Sequence, residues 1–175
     1  HSEGTGTRTY GNNSHSEGED TIASGNSSHS EGYQTQTHGY ASHSEGQTTF
    51  TFGNYTHAEG TATQASGTSS HAEGRNTQTH GQYSHAEGYL TMALGNYSHA
   101  EGIGTVANLT GQTATGKWNT SGNTTSLFVI GNGTSNASRS DLARFDMTGV
   151  TFYQPVSATT YYGDGSNLTG IPSGS

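Results

Sequence analysis

The feature that most constrains the fold of this chain is a repeat of fourteen residues. Its clearest motif is Ser98–Gly102, which reads Ser-His-Ala-Glu-Gly, and the other copies carry Ala or Ser between the histidine and the glutamate. The repeated histidines are His1, His15, His29, His43, His57, His71, His85 and His99. A fixed period of this kind is typical of repeat architectures, in which each unit packs mainly against its neighbours.

Each repeat divides into two halves of similar pattern. In the second repeat the halves are Ser14–Gly18 and Thr21–Gly25, and both read small-x-small-x-Gly. Alternation with a period of two predicts two short strands per repeat, with a turn at each glycine, where positive φ is tolerated. Small residues such as Ser16 and Ala23 share one strand face, and we expect that face to point inward.

The composition fits an elongated all-β roll better than a rounded domain. Apolar residues make up 26% of the chain, too few for an ordinary core, and the strict repeat argues against disorder. Glycine and β-branched threonine in every repeat, without an apolar stripe of helical period, argue against helices. A core of Ser, Thr and Ala buries little area, so we expect one outer face to pack against other chains.

The outward positions of the two halves differ in a way that suggests which face this is. In the first half they are always His and Glu, whereas in the second half they change from repeat to repeat. An interface between identical chains favours the same side chains in every repeat, so the His/Glu positions are predicted to be a subunit interface. We call this set the ladder: His15, Glu17, His29, Glu31, His43, Glu45, His57, Glu59, His71, Glu73, His85, Glu87, His99 and Glu101.

The varied positions, here called the flank, are predicted to face a receptor. Exposed apolar and aromatic side chains can stack on sugar rings or fill protein pockets; alternatively, they pack against neighbouring turns and shield the coil edges. The candidate receptor-facing residues are Tyr10, Ile22, Phe50, Phe52, Met92 and Leu94 of the flank, with Tyr33 and Tyr89, which are predicted to lie in turns.

The repeat resembles the head repeat of YadA-type trimeric autotransporter adhesins. Ser98–Gly102 matches the family's S-V-A-I-G motif place for place, with His for Val and Glu for Ile, and similar S-H-A-E-G segments occur in phage tail fibres and bacterial adhesive trimers. The resemblance covers residues 1–108 and implies three left-handed parallel β-rolls around a threefold axis. It further implies an extracellular, non-enzymatic homotrimer, on a virion tail fibre or a bacterial surface, that binds a cell-surface glycan or protein. The Val and Ile positions, which form an apolar contact between chains in that family, are the polar residues His and Glu here.

Three chemical roles are open to the ladder. Its histidines could hydrogen-bond glutamates of a neighbouring chain. Rings of histidine could also bind a metal, but ions at every level, about 4.8 Å apart, would lie too close together, so only one or two rings could be occupied. No metal or other cofactor is predicted. A Ser14/His15/Glu17 triad is disfavoured because neighbouring strand residues point to opposite faces, so no catalytic residue is predicted.

Two other functions would need features that this sequence pattern does not favour. Thr-x-Thr pairs such as Thr35/Thr37 would suit an ice-binding solenoid if they faced outward, but their frame predicts that they face inward. A glycan-depolymerising tailspike would need a carboxylate pair in a groove, and the only recurrent carboxylate is the ladder glutamate.

The C-terminal third departs from the repeat. Because Leu109 stands where a glycine is due, 109–126 is predicted to be a loop or neck. A β-meander cap or connector is expected over 127–162, with strands at Leu127–Ile130, Leu142–Asp146 and Val150–Tyr153. The remainder, 163–175, has the composition of a Gly-rich linker.

Net charge and hydropathy exclude two classes of partner. The formal charge of −8 is the wrong sign for nucleic acid, where Lys and Arg contacts to phosphate dominate affinity. The sequence has no apolar run long enough to be inserted into a membrane as a spanning helix.

Overall fold

The computed structural model describes residues 1–157 and shows a parallel β-solenoid of about nine coils of roughly fourteen residues. All regular elements in this part of the chain are strands, which confirms the all-β prediction. No helix in the described range has the length and apolarity needed to span a bilayer.

The strands form two sheets. The first sheet contains twelve strands: β1 (Ser2–Thr5), β3 (His15–Glu19), β5 (His29–Tyr33), β7 (His43–Gln47), β9 (His57–Thr61), β11 (His71–Arg75), β13 (His85–Tyr89), β15 (His99–Ile103), β17 (Thr113–Lys117), β18 (Ser126–Asn132), β19 (Asp141–Asp146) and β20 (Gly149–Phe152). The second contains eight: β2 (Arg8–Thr9), β4 (Ile22–Ala23), β6 (Gln36–Thr37), β8 (Phe50–Thr51), β10 (Gln64–Ala65), β12 (Gln78–Thr79), β14 (Met92–Ala93) and β16 (Val106–Ala107).

Successive coils pair in parallel and in register. His15 lies opposite His29 in the first sheet, and Gln64 lies opposite Gln78 in the second. Because the register shift equals the repeat length, equivalent side chains stack in columns along the solenoid. The sequence pattern of one coil therefore becomes a set of parallel stripes on the surface.

The small residues form the interior, as predicted. Ser16, Ala72 and Ala93 have no solvent-accessible surface, and neither does Thr35, whose hydroxyl bonds that of Ser30 at 2.8 Å. This core is a single layer of Ser, Thr and Ala between the two sheets.

The two glycines of each repeat serve different purposes, and here the turn prediction was only half right. Gly18 has a φ of 109°, which favours glycine. Gly25 does not have positive φ; a Cβ at this position would instead overlap the Gly39 carbonyl oxygen of the next coil. Two non-glycine residues, Asp20 and Ser27, take the left-handed conformation in the turns. The second-half strands are accordingly only two residues long.

The prediction of a loop over 109–126 was wrong for part of that range. Strand β17 pairs in parallel with β15 and continues the first sheet for a ninth coil. Ala114 and Gly116 keep the inward small residue and the turn glycine, while Thr113 and Thr115 replace His and Glu. The missing glycine at position 109 therefore did not end the solenoid.

The expected meander strands are present. β18 pairs in parallel with β17, β19 is antiparallel to β18, and β20 is antiparallel to β19. Arg139 anchors the β18–β19 connection, since its guanidinium donates to the carbonyls of Gly104 and Asn119 at 2.8 and 3.0 Å and lies 5.2 Å from the Trp118 ring. The predicted linker 163–175 and the end of the 127–162 segment lie outside the described residues.

Candidate functional site: the histidine–glutamate ladder

The ladder lies on the outward face of the first sheet, as predicted. Its side chains from His15 to Glu101 are half-exposed, at 31–43%. In-register pairing stacks the rings from His15 to His85 with centroids 4.7–5.0 Å apart and planes within 7° of parallel. The rings of His1 and His99 meet their neighbours edge-on instead. The result is a continuous column of imidazoles beside a column of carboxylates.

Each ladder histidine faces a carboxylate of the same chain without hydrogen-bonding it. The distances from Nε2 to the nearest carboxylate oxygens are 3.6–4.0 Å. His57, for example, lies 3.7 Å from Glu45 and 3.9 Å from Glu59. These separations exceed the usual donor–acceptor distance of an N–H···O hydrogen bond, which is about 2.7–3.2 Å. The Nε2 atoms of six ladder histidines are buried and lack a hydrogen-bond partner: His15, His29, His43, His57, His71 and His85.

The environment of three ladder histidines favours neutral imidazole. Burial lowers the pKa of His43, and the neighbouring His29 and His57 lower it further, while Glu45 and Glu31 oppose this to a smaller extent. Burial is likewise the largest cause of the lowered pKa of His71 and of His85. At these three histidines burial, reinforced by neighbouring rings, thus outweighs the nearby carboxylates. Together with the long Nε2–carboxylate distances, this means that the ladder is not a row of fully formed ion pairs.

An open groove runs beside the carboxylates. Its larger part has a volume of about 810 Å³ and is lined by glutamates and glycines from Glu3 to Gly74, and a second part of about 520 Å³ extends past Glu87 to Gly116. The glycines make the groove because they leave a column without side chains. The same groove is where a glycan-depolymerising site would have to lie, but its repeated glutamates single out no one pair of carboxylates.

The carboxylates of the groove differ in their pKa values. A hydrogen bond with Glu87, burial and the nearby Glu59 raise the pKa of Glu73 to about 7. The hydroxyl of Thr115 donates to Glu101 at 2.6 Å and is the main cause of the lowered pKa of Glu101. Sequence analysis missed this role of Thr115, although the fourteen-residue period places it directly after Glu101 in the column.

The candidate receptor-facing residues fall into two groups, and two of them, Tyr33 and Tyr89, end the first-sheet strands β5 and β13 rather than lying on the flank. Tyr10, Phe52, Tyr33 and Tyr89 are exposed, with Tyr10 at 67% and Phe52 at 50%. The other four candidates are half-buried: Ile22, Phe50, Met92 and Leu94.

Two of the exposed candidate rings, Phe52 on the flank and Tyr89 at the end of β13, pack on their neighbours. Phe52 stacks on His38 with centroids 5.3 Å apart, and Arg75 lies 5.6 Å from the Tyr89 ring. A second groove of about 320 Å³ on this side is lined by residues including Arg8, Ile22 and Phe50. The flank therefore combines packing between coils with exposed aromatic surface.

The catalytic alternative does not come together around His15. The Ser14 hydroxyl is buried and donates to the Gly11 carbonyl at 2.6 Å, whereas the His15 ring lies on the outer face. The three residues of that triad are therefore split between the inside and the outside of the coil.

Comparison with known proteins adds no relative. No known protein family matches this chain, and neither the curated proteins nor the solved structures contain a match. The fold and site define a parallel β-solenoid with a polar ladder on one face.

Proposed function

We propose that this chain is a segment of a non-enzymatic homotrimeric fibre whose ladder lies between protomers and whose flank binds a receptor. The observation that carries the proposal is the contrast between the two faces. The ladder repeats the same two side chains over seven successive coils beside an open groove, whereas the outward pair of the flank differs between neighbouring coils. Threefold packing of identical chains would repeat the same side-chain contacts at every coil.

The thin interior supports the need for a partner chain. Its buried apolar residues are almost all alanines, which bury little area apiece. The backbone of each coil nevertheless loses conformational entropy worth about 1–2 kcal/mol per residue. Packing the half-exposed ladder faces of three chains together would bury further surface. By resemblance to YadA-type heads, each protomer would be a left-handed roll, and the β18–β20 meander would be a cap or connector.

In this proposal the flank is the recognition surface of an extracellular fibre, on a phage tail or a bacterial cell. The exposed rings of Tyr10, Phe52 and Tyr89 suit stacking on a cell-surface glycan or insertion into a protein pocket. Three copies of the same flank would strengthen weak contacts through multivalency.

Ice binding receives no support from the fold. The threonines of three Thr-x-Thr pairs are buried: Thr35 and Thr37, Thr49 and Thr51, and Thr77 and Thr79. These residues cannot present the flat threonine surface that an ice-binding solenoid requires.

Light scattering on the purified chain tests the proposal. We expect three times the chain mass of 18.2 kDa. The variant His57→Asp/His71→Asp would place additional carboxylates among the ladder glutamates and should lower the mass. The matched variant His38→Asp/His80→Asp changes exposed histidines of the flank and should leave the mass unchanged. A monomeric parent chain, or dissociation caused only by the flank variant, would contradict the proposal.

A further inference from the structure

We propose that the ladder binds divalent transition-metal ions of the Zn²⁺ type, each held by two histidines of successive coils and the glutamate between them. One such group is His15, Glu17 and His29, and another is His57, Glu59 and His71. In each group one potential ligand atom per residue lies within 4.8 Å of the others. The inference rests on the geometry of a single chain, so it stands whether or not the chain forms a trimer.

The histidine–glutamate spacing matches two ligands of one ion better than a hydrogen bond. Zinc–nitrogen and zinc–oxygen bonds of about 2.0–2.2 Å place two ligand atoms about 3.4 Å apart at a tetrahedral angle and about 4.2 Å apart when opposed. The measured Nε2–carboxylate distances of 3.6–4.0 Å fall between these limits. Binding would require the two stacked, near-parallel imidazoles of a group to tilt toward each other, so that both Nε2 lone pairs point at the ion.

The ligand atoms are also free to bind. The Nε2 atoms of six ladder histidines are buried without a hydrogen-bond partner, as described above. Only neutral imidazole ligates a metal.

Sharing of ligands limits the number of ions. His29 belongs both to the group with His15 and to the group with His43, so an ion that uses two histidines excludes its neighbours. Eight repeat histidines taken two at a time allow at most about four ions. The objection that ions at every coil would lie too close together does not apply to ions at alternate coils, about 9.6 Å apart.

The ligand set also predicts selectivity. Imidazole with carboxylate suits Zn²⁺ and related transition metals, whereas Ca²⁺ and Mg²⁺ prefer sets of oxygen ligands. The chain has no cysteine, so thiolates cannot account for any zinc that it binds.

Equilibrium dialysis of the metal-free full chain against Zn²⁺ at about pH 7.5, where imidazole is neutral, tests the inference. We expect two to about four ions per chain, retained in a roughly tenfold excess of Ca²⁺. The variant His29→Gln/His57→Gln/His85→Gln leaves His1 and His15 as the only adjacent pair of repeat histidines, so binding should fall to about one ion or none. The matched variant His38→Gln/His80→Gln removes two histidines of the flank and should bind as the parent does. Circular dichroism of each variant checks that the solenoid remains folded.

Four results would overturn the inference: fewer than two ions on the parent chain, unchanged binding in the folded ladder variant, loss of binding in the flank variant, or displacement by Ca²⁺. The outcome is separable from that of the fibre proposal. A monomer that binds Zn²⁺ through the ladder contradicts the trimer alone, and a trimer without such binding contradicts the metal site alone.

Discussion

The ladder and the flank are built on the same backbone period but follow different rules. Their inward neighbours are the same kinds of small residue, and both faces pair in register from coil to coil. The flank passes from Ile22 to Gln36 to Phe50 in successive coils without any change in strand pairing. The ninth coil pairs normally with Thr113 and Thr115 in the ladder positions. The solenoid thus does not require His and Glu, and their repetition points to a task other than folding one chain.

The largest effect should come from the close contacts between coils, which both faces share. Gly39→Ala would place a Cβ against the Gly53 carbonyl oxygen, and we expect a loss of about 3 kcal/mol in unfolding free energy. Gly149→Ala is the control, because a Cβ there meets no atom within 4 Å and φ is not positive. Guanidinium unfolding of both variants measures the difference. Equal stability of the two variants would show that the backbone contact does not constrain the coils.

A smaller effect is expected from the hydroxyls inside the coil. Thr35→Val would leave the buried Ser30 hydroxyl without its 2.8 Å partner and should cost about 1–3 kcal/mol. Thr49→Val makes the same chemical change where the buried hydroxyl has no hydrogen-bond partner, so it should be neutral or stabilising. Urea unfolding of the two variants distinguishes the loss of a buried hydrogen bond from a change in packing. Similar losses in both variants would mean that packing alone explains the interior.

The outward carboxylates should show effects of opposite sign. The pKa of Glu73 is raised to about 7, so its charge destabilises the folded chain above that pH, and the penalty fades as pH falls toward the unfolded value of 4.5. Glu73→Gln should therefore stabilise the chain by roughly 0.2–1 kcal/mol at about pH 8, and not at about pH 5. The pKa of Glu101 is lowered, so its charge stabilises the folded chain above pH 4.5, and Glu101→Gln should destabilise it at about pH 8. Thermal melts at the two pH values check both signs; a gain from Glu101→Gln would refute the assignment.

The smallest effect should come from the histidine column. The pKa values of His43, His71 and His85 are lowered from 6.5, so the unfolded chain binds these protons more readily than the folded chain. These histidines therefore do not lower the stability of the folded chain above pH 6.5, and they lower it increasingly as pH falls below that value. Replacing all three with Gln should flatten the decline in melting temperature between about pH 7 and 5. The flank variant His38→Gln/His80→Gln should leave that decline unchanged.

Sequence patterning predicted which side chains point inward because strand alternation leaves no other choice once small residues recur at every second position. It placed Ser16 and Thr35 inside and His15 outside correctly. It did not predict the different lengths of the two strands in a coil, because the letter Gly does not distinguish positive φ at Gly18 from a close contact at Gly25.

The ninth coil and the ladder geometry show where pattern reasoning stops. The absence of a glycine at Leu109 led to the prediction that the solenoid ends there. Ala114 and Gly116 nevertheless preserve the small interior residue and the turn. The alignment of imidazole and carboxylate stripes followed from the repeat, but the distances between them depend on side-chain torsions that no repeat pattern encodes. The trimer, the receptor and the surface location remain predictions.

In-register pairing by whole repeats also bears on how such a molecule can change its length. A duplication or deletion of one fourteen-residue unit between equivalent positions joins coils of matching geometry, since Gln64 already pairs in the same register with Phe50 on one side and Gln78 on the other. Each such event would move the far end by about 4.8 Å and rotate no existing side chain to the opposite face. Recombination between repeats of the gene can therefore shorten or extend the solenoid in steps of one coil.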